Sequence, residues 1–175
     1  MFLWVACDIA EAFADIRSIC REQNRAVGLS ETALSLPPHI SLKISFPIAQ
    51  SDVENAVERL TALLRTRSPF SVKTTGMEQM GETLWVAFEP TAALTALHAE
   101  LDALVESEFG VSPHPFDREF CFHSTLFQDA DTAKLAQMAA RLADLPLPSD
   151  VTVSHFFIGC SPSGKAGEYA VCKRI

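Results

Sequence analysis

The chain has 175 residues, a length that suits one domain spanning residues 1–175. Hydrophobic residues make up 48% and charged residues 21% of the sequence, so a sizeable core is expected and intrinsic disorder is excluded. Acidic residues outnumber basic ones 22 to 14, and the net charge of −8 argues against binding of long nucleic acid, which depends on neutralising phosphates. A short or terminal phosphate ligand remains compatible, because a small pocket can carry its own local charge.

The cysteines and the N-terminus indicate the cellular compartment. Five cysteines occur without a C-x-x-C motif, and their odd number argues against a disulfide framework or a structural zinc site. A reducing cytoplasm is therefore the expected location. The apolar residues 1–7 lack a basic flank and are too short to span a bilayer, so they predict a buried strand rather than a signal peptide. No membrane partner is expected.

Hydrophobic periodicity divides the chain into alternating strands and helices. In chain order these are a strand at 2–7, a helix at 9–24, a strand at 39–46, a helix at 51–66, strands at 69–76 and 82–89, a helix at 91–108, a strand at 120–127, a helix at 131–143, and strands at 150–159 and 168–174. Because some strands are joined by helices and others by short turns, we expect an α+β fold with a mixed or antiparallel sheet. A strand, a helix and a His-bearing strand occur in both halves of the chain.

Two short motifs of the form His-x-hydroxyl-Leu carry the strongest functional signal. HISL begins at His39 and HSTL begins at His123, one in each half of the chain and each in a predicted strand. Residues i and i+2 of a strand share a face, so His39 should lie beside Ser41 and His123 beside Thr125. The strict alternation of residues 39–46 places Lys43 on that face as well.

This pattern suits the cleavage of a phosphodiester. One imidazole can take a proton from the attacking oxygen while the other gives a proton to the leaving oxygen, without a metal or cofactor. The Ser41 and Thr125 hydroxyls can bind nonbridging phosphate oxygens, and Lys43 would add positive charge. The alternative at this point is a pair of structural histidines, because a single H-x-[ST] triplet is common by chance.

The sequence resembles the 2H phosphoesterases, a family that includes bacterial RNA 2′,3′-cyclic phosphodiesterases, also described as 2′-5′ RNA ligase-like proteins. The likeness lies in the segments FLWVACDI, PHISLKISF, PFSVKTTGM with TLWVAFEP, EFCFHSTLF and SPSGKAGEY, which together extend over nearly the whole chain. It implies two pseudo-symmetric lobes, each a mostly antiparallel sheet with flanking helices, around a central cleft.

The resemblance also implies roles for individual residues. His39 and His123 would be the catalytic pair, and Ser41 and Thr125 would bind phosphate oxygens. Tyr169, in the closing turn, is together with Lys43 a further candidate for contacting the substrate. The implied substrate is a 2′,3′-cyclic phosphate or a related small nucleotide or RNA-terminus phosphodiester, and we expect a monomer that needs no metal or cofactor.

Two positions depart from the family pattern. Ser41 replaces the more usual Thr and keeps the hydroxyl, whereas Gln128 stands where many members carry Arg. Loss of that guanidinium removes a cationic contact to phosphate or ribose. A non-catalytic module that binds a phosphorylated nucleotide is therefore the alternative to an enzyme.

Other histidines and a glycine-rich segment predict structural roles. GCSPSGKA at 159–166 resembles a P-loop, but Ala166 replaces the Mg²⁺-binding hydroxyl and no helix follows, so a hairpin turn is expected. His98 should pack on a helix face, His114 should lie in an exposed loop, and His155 should face the core or sheet in phase with its strand. The lack of an H-x-x-x-H or H-E-x-x-H pattern disfavours a zinc hydrolase.

Overall fold

The structure is a computed structural model and describes residues 1–118 and 120–175. Its helices and strands are, in chain order, β1 (Phe2–Asp8), α1 (Ala14–Val27), β2 (His39–Pro47), α2 (Val53–Arg65), β3 (Phe70–Met80), β4 (Thr83–Phe88), α3 (Ala92–Phe109), β5 (His123–Gln128), α4 (Thr132–Arg141), β6 (Asp150–Val153), β7 (His155–Ser161) and β8 (Ala170–Arg174). In the described parts of the chain, no helix combines the length and apolar character that crossing a membrane requires.

The strands form two four-stranded sheets whose neighbours are all antiparallel. The strand order is β2-β1-β7-β8 in the first sheet and β5-β4-β3-β6 in the second. Each motif strand, β2 or β5, therefore lies at the edge of its own sheet, and these two edge strands contact each other. The predicted α+β fold of two similar lobes is confirmed, and the lobes meet where the two histidine motifs lie.

The single strand predicted at 150–159 is wrong. Residues 150–153 form β6, which pairs with β3, whereas residues 155–161 form β7, which pairs with β1 in the other sheet. Only the exposed Ser154 separates them, and no glycine or proline stands at the break, so the two segments together resemble one strand. His155 is exposed at the start of β7 instead of facing the core, and residues 156–159 are all buried.

Helix α1 carries the chain from the first strand towards the first motif. It buries Ile16, Cys20 and Val27 and ends at Gly28, whose φ of 71° is the left-handed conformation that commonly terminates helices. The buried Asn24 side chain then accepts a bond from the backbone N–H of Leu29 (2.8 Å) and donates to its carbonyl oxygen (3.0 Å). The turn after α1 is thereby fixed, and with it the direction of the segment that leads into β2.

Both motif strands contain a β-bulge directly after the motif hydroxyl. In β2, Ser41 pairs with Ala6 and Lys43 pairs with Val5, so two steps on β2 match one step on β1. In β5, Thr125 and Phe127 pair with neighbouring residues of β4 in the same way. A bulge reverses the facing of the residues that follow it, so Lys43 and Phe127, four positions after each motif histidine, both turn into the core.

Candidate active site

Each motif histidine is the first residue of its strand, and the residue before it is hydrogen-bonded at the end of the neighbouring strand. The residue before His39 accepts a backbone hydrogen bond from Ile9, and the residue before His123 accepts one from Phe88 (3.2 and 2.9 Å). The His39 ring lies against Trp4 of β1 with centroids 4.7 Å apart, and the His123 ring stacks on Trp85 of β4 at 4.2 Å. Aromatic packing therefore sets the plane of both imidazoles.

The hydrogen bonds of both rings define their tautomers. Nδ1 of His39 lies 2.8 Å from the Pro37 carbonyl oxygen, and Nδ1 of His123 lies 2.8 Å from the Cys121 carbonyl oxygen. A carbonyl oxygen can only accept, so each Nδ1 carries the proton and donates it. The Nε2 atom of each neutral ring then holds a free lone pair, which is the form required of a general base.

The pKa values of both imidazoles are lowered. Burial is the main cause of the shift of the His39 pKa from 6.5 to about 4, with smaller contributions from the nearby positive charges of His123 and Arg17, while the bond to Pro37 opposes it. Burial also lowers the pKa of His123, and the bond to Cys121 opposes that shift. Both rings are therefore neutral at pH 7, and an anion between them would favour protonation of one ring.

Residues of both motifs open onto one cavity of about 180 Å³. His39 of β2 and Thr125 of β5 line it together, with Gln128 and Tyr169 on its wall. Ser41 lines an adjoining hollow with His39 and Trp4. The structure thus brings His39, Ser41 and Thr125 to one region, and His123 lies two residues before Thr125 and close enough for its charge to affect the His39 pKa.

Tyr169 holds the hairpin turn that borders this cavity. Its hydroxyl lies 2.7 Å from Ser45 Oγ and 2.9 Å from the Gly164 carbonyl oxygen, and its ring meets the edge of Trp4 with centroids 6.2 Å apart. Because Gly164 has a φ of 78°, the turn takes a backbone form that glycine adopts without strain. The P-loop-like segment is therefore the β7–β8 turn, as expected, and Tyr169 anchors it.

The prediction that Lys43 faces the site is wrong. Although Lys43 borders the hollow beside His39, its side chain is 2% exposed, and its ammonium lies 2.6 Å from Asp102 Oδ1 and also contacts Asp117. The β2 bulge is the physical reason, because it turns Lys43 off the face that holds Ser41. Its partners lie on α3 and in the short 3₁₀ turn Pro115–Asp117, so the ion pairs tie β2 to the segment that precedes β5.

The side chains around Lys43 include the one group of described residues whose arrangement could hold a metal ion. His98, Asp102 and Asp117 have ligand atoms within 4.8 Å of one another. The Lys43 ammonium already lies between the two carboxylates, so the chain supplies its own cation there. His98 is buried, as predicted, with Nδ1 2.7 Å from the Leu42 carbonyl oxygen and Nε2 3.0 Å from that of Asp117. These contacts give the cluster a structural role.

Of two further polar residues, His114 lies in a loop and Arg17 lies beside His39. The exposed His114, as predicted, lies in a loop, where its Nδ1 accepts from the backbone N–H of Phe116 at 3.2 Å. Arg17 of α1 was not a sequence candidate, yet it lines a narrow crevice with His39 and Thr125 and its charge lowers the His39 pKa. The repeat of arginine every four residues along α1 was the only sequence signal for it.

Known proteins share both the sequence pattern and the fold. The family model described as the 2′-5′ RNA ligase superfamily matches residues 5–159. A candidate phosphoesterase of Oceanobacillus iheyensis is 29% identical over 111 residues, and the match covers 61% of this chain and 61% of that protein.

Solved structures with low sequence identity share the fold. TT0787 of Thermus thermophilus superposes with a TM-score of 0.64 at 18% identity, covering 100% of this chain and 97% of that one. E. coli LigT complexed with 3′-AMP gives 0.61 at 18% identity, covering 99% and 95%. Kluyveromyces marxianus Usb1 gives 0.58 at 13% identity, covering 99% and 96%. With the family model matching residues 5–159 and these shared folds, the chain belongs to the 2′-5′ RNA ligase superfamily of 2H phosphoesterases.

Proposed function

We propose that this protein is a metal-independent phosphodiesterase that opens a 2′,3′-cyclic phosphate or cleaves a related small nucleotide or RNA-end phosphodiester. The observation that carries the proposal is the pair of imidazoles from two lobes, each with Nδ1 held by a carbonyl oxygen and with no hydrogen bond to Nε2 from the described residues. His39 lines the cavity of about 180 Å³, and His123 lies two residues before Thr125, which lines it too; two such imidazoles can act as general base and general acid. The hydroxyls of Ser41 and Thr125 would donate to the nonbridging oxygens and hold the phosphorus between the rings.

The reaction then follows from the protonation states of the two rings. The negative charge of the bound phosphate raises the low imidazole pKa values, so one ring carries a proton on Nε2 while the other stays neutral. The neutral ring takes a proton from water as the water oxygen bonds to phosphorus. The protonated ring gives its proton to the ribose oxygen as the bond from phosphorus to that oxygen breaks. A phosphate monoester and a free hydroxyl result, and solvent exchange restores the starting protonation of the two rings.

The size of the cavity and the shared fold support a small nucleotide as substrate. The cavity of about 180 Å³ that His39 and Thr125 line has room for a phosphate and part of a ribose. E. coli LigT, which shares the fold, has been solved with 3′-AMP and with NADP⁺. The expected cytoplasmic location and monomeric state remain predictions from the sequence.

The alternative is a binding module that holds a phosphorylated nucleotide without turnover. One observation favours it: Gln128, in place of the Arg that the family resemblance implies, lies on the wall of the cavity. A glutamine supplies one neutral donor group where a guanidinium would supply charge and a planar fork. The two functions differ in whether a bound cyclic phosphate is opened.

Hydrolysis of a substrate panel tests the proposal. The substrates are 2′,3′-cyclic nucleotides and short 2′-5′- and 3′-5′-linked oligonucleotides, each assayed with and without EDTA. We expect EDTA-resistant turnover that falls about 10³-fold or more in His39→Gln and in His123→Gln, because each variant removes one proton-transfer group. His155→Gln, at an exposed histidine on β7, is the matched control and should keep the parent rate.

Two results would count against the enzyme. Full turnover in either catalytic-histidine variant would refute the two-histidine mechanism. Thermal stabilisation by the same nucleotides without any product would support the binding module instead.

A further inference from the structure

Three arginines lie along one face of α1, beside the candidate active site. Arg17, Arg21 and Arg25 are spaced by four residues, so each lies about 6 Å further along the helix axis than the one before. The adjoining face of the helix buries Ile16 and Cys20 in the core. In a chain of net charge −8, this face is a local concentration of positive charge.

Two hollows meet at Arg17. The first is the crevice that Arg17 shares with His39 and Thr125. The second has a volume of about 300 Å³ and runs along α1 away from the histidines. Its lining consists of Ala14, Arg17, Ser18, Arg21, Glu22 and Arg25. Arg17 therefore borders both the crevice at His39 and the hollow that leads along α1 towards the other two arginines.

The three guanidiniums lack anionic partners among the described residues. The other arginines that form ion pairs there join carboxylates, as Arg59–Glu108, Arg67–Glu100 and Arg174–Asp8. Within residues 1–118 and 120–175, Arg21 donates only to the Leu34 carbonyl oxygen at 3.1 Å, which holds the side chain and leaves most of its N–H groups available. Burial and the charge of Arg21 lower the pKa of Arg17, as expected for a cation that faces another cation. Glu22 is the one acid on the lining, so three cations face a single carboxylate.

We propose that Arg17, Arg21 and Arg25 form a subsite for a second phosphate of the substrate, displaced along α1 from the phosphate that reacts. The placement of the reacting phosphate between His39 and His123 rests on the proposed function. The ligand chemistry is a phosphate group on the same molecule, supplied either by a 5′-phosphate on the nucleoside or by the next internucleotide linkage. Guanidinium groups bind phosphate oxygens in pairs, so the subsite supplies from a helix the cationic contact that Gln128 lacks.

Binding and turnover of matched ligands test this subsite. Calorimetry compares adenosine 3′-phosphate with adenosine 3′,5′-bisphosphate and with the dinucleotide ApA bearing a 3′-phosphate, and kcat/KM is measured for the three corresponding 2′,3′-cyclic phosphates. We expect the parent to prefer a two-phosphate ligand about tenfold or more over the one-phosphate ligand. A preference for the bisphosphate identifies the 5′-phosphate as the source, and a preference for the dinucleotide alone identifies the internucleotide linkage.

Variants of α1 distinguish phosphate binding at this subsite from a general effect of the net charge of the protein. Arg21→Gln and Arg25→Gln should each lower the preference ratio about fivefold and reduce the salt dependence of the two-phosphate affinity by about one unit of slope. Arg65→Gln on α2 removes the same charge at an exposed position and should leave the ratio unchanged. Arg25 has no hydrogen bond to other described side chains, so its variant keeps the test valid if Arg21→Gln disturbs the contact with Leu34.

The outcomes separate this inference from the proposed function. Equal affinity of the parent for all three ligands, or an unchanged ratio in both arginine variants, would overturn the subsite even if cyclic phosphates are hydrolysed. A preference that depends on Arg21 and Arg25, measured by binding without any turnover, would establish the subsite and refute the phosphodiesterase.

Discussion

Gly159, on an inner strand of the first sheet, is expected to control the position of His39, one of the two candidate catalytic histidines. Trp4 on β1 pairs directly with Gly159 on β7, and the indole lies across the glycine. A Cβ added at position 159 would come within 1.8 Å of Trp4 Nε1 and 2.0 Å of Trp4 Cε2. Ordinary contact begins near 3.4 Å, so a Gly159→Ala variant must move the indole by about 1.5 Å.

The indole has little room for this movement. Trp4 is 5% exposed and meets the ring of Phe157 edge-on, with centroids 5.0 Å apart. Overpacking of this kind costs about 1–3 kcal/mol, which for a domain of this size lowers Tm by about 2–12 °C. Because the His39 ring lies against the same indole, its Nε2 should also be displaced. A misplacement of about 1 Å can reduce kcat about 10²-fold.

A double-mutant cycle measures whether the effect passes through Trp4. The free energy of unfolding is obtained from urea titrations, and kcat from hydrolysis of a 2′,3′-cyclic nucleotide, for Gly159→Ala, Trp4→Ala and the double variant. We expect an interaction energy of about 1–3 kcal/mol, because the added methyl meets no indole in the Trp4→Ala background. A Gly159→Ala variant with parental stability and kcat would refute the reasoning.

Three further outcomes are expected from the titrating and buried groups. The unfolded imidazole of His39 takes up a proton near pH 6.5 and the folded one only near pH 4, so the free energy of unfolding should fall as pH drops through this interval. Urea titrations of the parent against His39→Gln test this, and identical pH dependence would contradict it. Binding of inorganic phosphate should raise an imidazole pKa and take up protons at pH 7, seen by calorimetry in buffers of different ionisation enthalpy, and binding without proton uptake would contradict it. Lys43→Met should destabilise by about 3–5 kcal/mol because it removes the ammonium that faces the buried carboxylate of Asp117 and the half-buried carboxylate of Asp102. Asp102→Asn and Asp117→Asn added to it should restore part of that stability in urea titrations, and no recovery would count against the pairing.

The features that depend on local pattern could be predicted from the sequence. The two His-x-hydroxyl-Leu motifs lie on strands as expected, because alternation within a strand is set by the residues of that strand alone. The β7–β8 turn was predicted for a similar reason, since its glycines and the missing helix are local signals. Membership of the 2H phosphoesterases, which the same motifs predicted, is confirmed by the family model over residues 5–159.

The features that depend on neighbouring strands could not be predicted in this way. The bulges that turn Lys43 and Phe127 inward exist only in the register with β1 and β4, and in β2 the alternating sequence pattern continues across the bulge without a sign of it. The division of residues 150–161 between two sheets has the same origin, because each half has the residues of a strand and only Ser154 separates them. Arg17 shares a crevice with His39 only because α1 and the first residue of β2 come together in the folded chain. Side-chain order along one segment is local, whereas hydrogen-bond register and the packing of distant segments are decided by the tertiary structure.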